Sequence, residues 1–299
     1  MKILFNNVDF SSNSGPNNFG KKIATQLFRL GHEINVPNPE IAINFIQGYM
    51  PGIKNVLRLD GIYFNSSQDW KSLNDPIKKS YDLADAVIVQ SNFNKDLVFK
   101  YFGERNNVSV IHNGTFIDEL NEIPNFDSGY DREKVWFCAS SWRPHKRLDE
   151  NIRYFLENSN KDDVLFIAGA NAHQYMQQNL DARIKYLGDL TWHQMISVMK
   201  SSKNFLHLAL LDHCPNVVVD ANACGCHIIC ASSGGTNEIV GKNSTIVQDI
   251  DWNFLPFELY NPPKLNFSIK KVGNYINLDI KNCAKSYEKV LRDCLNEFK

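Results

Sequence analysis

Residues 135–170 read VWFCASSWRPHKRLDENIRYFLENSNKDDVLFIAGA. The stretch opens on an apolar run rich in β-branched and aromatic residues, VWFCASS, and closes on a second, DVLFIAGA. Between them RLDENIRYFLENS has helical spacing, with apolar residues on one face. Strand, helix and strand in this order form a βαβ unit. Runs that are apolar at successive positions suit strands buried on both faces of a parallel sheet.

The same rhythm extends in both directions. Downstream lie a strand at RIKYLGDL, a helix at TWHQMISVMKSS, a strand at NFLHLAL, a short helix at PNVVVDANACG and a strand at HIICASS, then a short helix at GTNEIVG before STIVQD. Upstream, KILFNNV begins a first series. It continues through the helix FGKKIATQLFRLGHE, with Gly31 as C-cap, and the strands AINFIQG and NVLRLDG. SQDWKSLNDPIKKSYDLAD is helical, and Pro76 is expected to kink or divide it. AVIVQS, NFNKDLVFKYFG and VSVIHNG complete that series. Residues 116–133, acidic and turn-rich, interrupt the rhythm and are expected to be a linker. The tail from Leu278 places Ile280, Cys283, Ala284, Tyr287, Val290, Leu291, Cys294 and Leu295 on one face of an amphipathic helix. The expectation is an α/β protein of two Rossmann-like, doubly wound parallel-sheet domains facing a cleft. Residues 1–125 form the first, 126–275 the second, and 276–299 a terminal helix that returns to the first. Ligands of such sheets bind in the loops at the carboxyl ends of the strands.

A length of 299 residues suits two domains. A net charge of -1 gives no electrostatic reason to expect nucleic acid or an anionic membrane. The apolar start, MKILF, is too short for a signal peptide, and no run reaches the length of a membrane span. Seven cysteines, an odd number in mostly apolar contexts, read as buried thiols in a reducing compartment, so a cytoplasmic location is expected.

Three motifs point elsewhere. GPNNFGKK, residues 15–22, fits G-x-x-x-x-G-K but has Lys22 where a P-loop needs Ser or Thr. It reads as a flexible Gly/Asn loop opening a helix, whose amides from Gly15 onward could meet an anion. No G-x-G-x-x-G follows the first strand, against a nicotinamide dehydrogenase. Cys224, Cys226, His227 and Cys230 invite a zinc reading, but C-x-C-H-x-x-C is not a usual structural zinc spacing, and packed thiols are expected instead.

Four stretches, in order, resemble one family. VIHNGT resembles the turn that closes its first domain, and SWRPHKRLD its strand–loop–helix segment. YLGDLTWHQMISVMKSSKNFLHLALL resembles its nucleotide-pocket segment. DHCPNVVVDANACG followed by HIICASSGGTNEIV resembles its E-x7-E helix and Gly-Gly loop. The family is the retaining glycosyltransferases of the two-domain GT-B type, family 4, and the similarity covers most of residues 80–240.

The resemblance implies transfer of a sugar from a nucleotide diphosphate sugar, UDP- or GDP-linked, to a carbohydrate or other hydroxyl acceptor. No cofactor or metal is required and the anomeric configuration is retained. Asp212 would face the donor sugar and Asp220 the ribose. The pattern has Glu at both positions, so each carboxylate here is one methylene shorter. Arg143 and Lys146 would stabilise charge on the leaving diphosphate, with Arg147 on the outer face of its helix. Asn216 and Val217, opening a helix, would present amides to the diphosphate, with Pro215 in the first turn. Gly15, Gly169, Gly234 and Gly235 would allow close backbone approach to the nucleotide, and backbone near Gly188 and Leu190 would meet the base. Asp60, after a strand of the first domain, is either an acceptor contact or a turn carboxylate. Domain closure would exclude water. The alternatives are a weak or inactive nucleotide-sugar binding protein, and a nucleotide-sugar epimerase of similar architecture.

Overall fold

The computed structural model describes residues 1–12, 14–174, 181–271, 276 and 278–296. The chain divides into two compact units. The first comprises residues 1–116, the segment Phe254–Phe257 and the C-terminal helix Ile280–Asn296; the second runs from Ile117 to Asn253 and resumes at Glu258.

The first unit carries β1 (Lys2–Asn6), α1 (Gly15–Arg29), β2 (Glu33–Ile34), β3 (Ile41–Phe45), β4 (Lys54–Leu59), α2 (Trp70–Leu83), β5 (Ala86–Val89), α3 (Asn92–Phe102) and β6 (Val108–Val110). The sheet order is β2-β1-β3-β4-β5-β6, parallel throughout. Every residue of β3 and β5 is buried, which accounts for the unbroken apolar sequence of β5; in β3 the one polar residue, Asn44, bonds to Asn6 and Asn55. The C-terminal helix lays Ile280, Cys283, Ala284, Tyr287, Leu291 and Cys294 into the same core as Ile3, Phe19, Ile23 and Leu27.

Two local expectations change. The GPNNFGKK stretch is not a loop: it forms the first turns of α1, with Pro16 where a missing amide leaves no bond unmade. Pro76 does not divide α2, which runs unbroken. The Ser80 hydroxyl donates to the Pro76 carbonyl at 2.8 Å, within a helix capped by Asp69.

The second unit carries α4 (Ile117–Leu120), β7 (Val135–Ala139), α5 (Leu148–Asn158), β8 (Val164–Ala168), β9 (Ile184–Gly188), α6 (Trp192–Lys200), β10 (Asn204–His207), α7 (Asn216–Ala223), β11 (His227–Ala231), β12 (Ser244–Val247) and β13 (Ile269–Lys271). Strands β7 and β8 pair in parallel over five residues, Val135↔Val164 through Ala139↔Ala168. The full order is β13-β12-β11-β10-β7-β8-β9. Counted from β7, the six parallel strands follow the dinucleotide-binding order 3-2-1-4-5-6, which reverses between β7 and β10. The edge strand β13 is antiparallel to β12, an addition that the sequence pattern does not signal.

Residues 117–134 are docked rather than loose. Phe126 meets Phe166 edge-on at 5.7 Å, and its carbonyl accepts from the Ser201 hydroxyl at 2.9 Å. Lys200 donates to the Leu120 carbonyl at 3.0 Å. The stretch lacks periodicity because it packs by isolated anchors. Among the described residues no helix is long and apolar enough to cross a membrane.

Candidate active site

The strand order of the second unit reverses between β7 and β10, and in open sheets of this order ligands bind in the crevice outside the carboxyl ends of the strands at such a point. The loop after β7 carries Arg143, a 3-10 turn Pro144–Lys146 and Arg147. The loop after β10 carries Asp212. The Leu210 amide donates to the His145 carbonyl at 2.8 Å and ties the two together.

Lys146 Nζ lies 2.5 Å from Asp212 Oδ2. His207 Nε2, at the end of β10, lies 2.9 Å from the same oxygen. The His213 amide donates to Oδ1 at 3.0 Å. Burial pushes the Asp212 carboxyl upward, but Lys146 and His207 outweigh it and hold the group well below the usual carboxylate range. Burial pushes His207 down, with Asp212 opposing. His213 falls to about 4 and His145 to about 3, burial being the main cause in both and Lys146 adding to it. His145 also stacks on Tyr260 at 5.6 Å.

Arg147 does not lie on an outer helix face. It is buried, forks onto Asp249 at 2.7 and 3.1 Å and donates to the Pro263 carbonyl at 3.0 Å. Its backbone adopts φ 52°, left-handed, which turns the chain into α5 and sends the side chain inward. Asp249 in turn accepts from Ser233 Oγ at 2.5 Å, and Ser233 Oγ accepts the Leu211 amide at 3.3 Å. This chain of contacts holds the residue just before Asp212. Arg143, by contrast, is exposed.

Pro215 caps α7 rather than entering its first turn, and Asn216 and Val217 open the helix. Asp220 is buried, and its Oδ2 accepts the Trp192 indole N–H at 3.1 Å. The acid in this apolar helix therefore already has a partner from α6.

Gly234 has φ 78°, and a Cβ there would sit 2.4 Å from the Asp212 carbonyl oxygen; the Gly235 amide donates to that oxygen at 2.7 Å. The Gly-Gly turn thus lets backbone close on the Asp212 backbone itself. Gly169, φ 102°, similarly passes Ser140, and its amide donates to the Gly188 carbonyl at 2.9 Å. Leu190 is half-buried just before Thr191, which caps α6. Lys146, Gly234 and Gly235 thus each lie against Asp212, and Gly169, bonded to Gly188, borders Ser140 in the loop after β7.

Gly15 and Asp60 belong to the first unit. Gly15 begins α1. Asp60 pairs with Arg58, a buried guanidinium that lies 4.4 Å from the Phe19 ring centroid and donates to Asn113 at 2.9 Å. The second Asp60 oxygen is buried without a hydrogen-bond partner among the described residues. The cysteines stand outside any disulfide; Cys226 and Cys230 are each pushed up to about 12 by burial.

Sequence reasoning missed His207, His145 and the Arg147–Asp249 pair. His207 had a signal, a lone histidine in the apolar run NFLHLALL five residues before Asp212.

Residues 121–253 match the family model for glycosyl transferases group 1. The fold is that of the GT-B glycosyltransferases. HepE (Alr3699) of Anabaena in complex with UDP superposes with a TM-score of 0.71 at 15% identity, covering 98% of this chain and 100% of that one. The same protein is also known bound to UDP-glucose. A glycosyltransferase of Rickettsia africae gives 0.65 at 14% identity over 99% and 98% of the two chains. Sucrose-phosphate synthase of Thermosynechococcus elongatus gives 0.67 at 11% over 98% and 90%. No curated protein sequence matches the chain.

Proposed function

We propose that the protein is a retaining glycosyltransferase that moves a sugar from a nucleotide diphosphate sugar to an acceptor hydroxyl. The observation that carries this reading is the Lys146–Asp212 contact at the strand-order reversal, inside the segment that matches glycosyl transferases group 1. The crevice gathers a cation, a carboxylate and the start of a helix, the groups a sugar diphosphate needs.

In this reading Lys146 and Arg143 meet the diphosphate and stabilise the charge that grows on it as the sugar leaves. The amides of Asn216 and Val217 take further phosphate oxygens. Asp212 orients the sugar, Asp220 shares the ribose with Trp192, and backbone around Gly188 and Leu190 meets the base. The bond from the sugar carbon to the phosphate breaks on the face where the acceptor oxygen bonds, and the acceptor proton passes to the departing phosphate. Two cations supply the charge compensation, so turnover should survive a chelator. Asp60, with one oxygen left over by Arg58, is the acceptor-side candidate in the first unit. The uridine nucleotides bound by HepE favour a UDP-sugar over a GDP-sugar.

The mutual neutralisation of Lys146 and Asp212 favours one second reading, a nucleotide-sugar binding protein without turnover. A panel of UDP-, GDP- and ADP-sugars with simple sugar acceptors separates the two. Nucleotide release from one donor class, lost in Lys146→Ala and unaffected by EDTA, supports the transferase. Thermal stabilisation by a nucleotide without release under any acceptor supports the binding protein. Neither response from any nucleotide refutes the donor site.

A further inference from the structure

Asp212 Oδ2 is shared. Lys146 Nζ approaches it at 2.5 Å and His207 Nε2 at 2.9 Å. The Asp212 side chain is 13% exposed and that of His207 only 4%. A carboxylate this enclosed needs a cation, because an unpaired buried charge is strongly unfavourable. Lys146 supplies that cation, yet Lys146 is also the group assigned to the diphosphate. A phosphate oxygen competes for the ammonium that Asp212 now holds.

We infer that His207 is the reserve counter-ion of Asp212: when a nucleoside diphosphate draws Lys146 away, His207 takes a proton from solution and holds the carboxylate. The inference rests on the proposed donor site. It makes His207 a positioning residue that acts through Asp212.

The surroundings of His207 suit the role. The charged groups facing it are Lys146, from the turn after β7, and Asp212, from the loop after β10. Across the β10–β11 register it opposes Cys230, whose thiol is uncharged at neutral pH. His213 and His145, beside Asp212, are both held neutral by burial. Arg147 and Asp249 neutralise each other. In the free protein, burial and Lys146 push His207 down, and only Asp212 pulls the other way. Once phosphate has neutralised Lys146, that opposing charge is gone while Asp212 remains. The proton therefore arrives with the nucleotide.

Calorimetric titration of the full chain with UDP, GDP and ADP, in buffers of differing ionisation enthalpy, counts the protons taken up on binding. Between about pH 5.5 and 7.5, where an imidazole switches, the wild type should take up a substantial fraction of one proton beyond any taken by the nucleotide itself. Its affinity should rise toward acid by as much as about tenfold per pH unit. His207→Gln keeps an N–H near the position of Nε2 but cannot charge. It should still bind, without the extra uptake or the acid-side rise. As a check that needs no variant, imidazole resonances of the wild type should show one of its eight histidines gaining charge on nucleotide addition. Equal proton uptake in wild type and variant, or no histidine gaining charge, overturns the inference while leaving the donor site standing. Absence of binding by all three nucleotides overturns the donor site and this inference together.

Discussion

Asp249→Asn should weaken the second unit more than any single change at the crevice surface. The Arg147 and Asp249 side chains are 0% and 1% exposed, and the guanidinium forks onto both carboxylate oxygens. The substitution removes the charge but not the guanidinium, which stays buried with only carbonyls and an amide to face. Breaking one side of such a pair costs about 3–5 kcal/mol. With a urea dependence of about 2 kcal/mol/M for a unit of this size, the midpoint should fall by about 1.5–2.5 M. The same carboxylate holds Ser233, and through it the residue before Asp212, so nucleotide affinity should fall even where the protein remains folded. Replacing both partners, Arg147→Met with Asp249→Leu, strands no charge and should recover a large part of the loss. Urea unfolding followed by tryptophan fluorescence measures the wild type, Asp249→Asn, the double variant and its two singles, Arg147→Met and Asp249→Leu. A midpoint shift below about 0.5 M for Asp249→Asn, or a double variant as unstable as the sum of its singles, would refute the claim that this pair braces the site.

Gly234→Ala places a methyl group on the Asp212 carbonyl at a left-handed φ, so a cost of at least about 1–3 kcal/mol is expected, with loss of nucleotide binding; a protein that melts and binds like the wild type would contradict the close approach. Asp220→Asn should weaken the best nucleotide about ten- to a hundredfold, the worth of a charge-assisted hydrogen bond, and leave a 2′,3′-dideoxy analogue unaffected. Stability should fall in mild acid. His213 and His145 are held down to about 4 and about 3, so the unfolded chain binds more protons below about pH 6.5. Each then withdraws up to about 1.4 kcal/mol per pH unit as pH falls from there toward its folded value. Thermal melts from pH 7 to 4.5 should show the decline, and His213→Gln should make it shallower; a flat profile counts against buried neutral histidines.

The fold was legible where periodicity carries it. The apolar runs of β5, β7 and β8 announce strands buried on both faces, and the stripe from Ile280 to Cys294 announces a helix that must bury one side. Residues 116–133 looked like a linker because aromatic anchors such as Phe126 leave no repeat in the sequence. β13 escaped because an edge strand of three residues is too short to show alternation. Arg147 was misplaced for a related reason. Helical spacing predicts which face a residue occupies only once the helix has begun, and Arg147 sits at the turn before it, in a conformation that spacing does not encode.

The crevice itself was only half legible, and the physics explains which half. The residues proposed to meet a ligand lie in or just after the loops that follow strands, and Lys146, Asp212 and Asp220 stood out through the family resemblance of the segments that carry them. Residues that hold these in place are fixed by tertiary contacts across many positions, 61 for Arg147 to the Leu208 carbonyl and 102 for Arg147 to Asp249, and no local pattern records them. The distinction matters for how the site would work. With no phosphate present, a lysine and an aspartate aimed into one crevice satisfy each other. A ligand must therefore offer the lysine a better anion and leave the aspartate a substitute cation. A site built from Lys146 and Asp212 alone would resist that exchange, whereas His207 on the same oxygen allows it. The third group on Asp212 is thus the one that lets the other two separate.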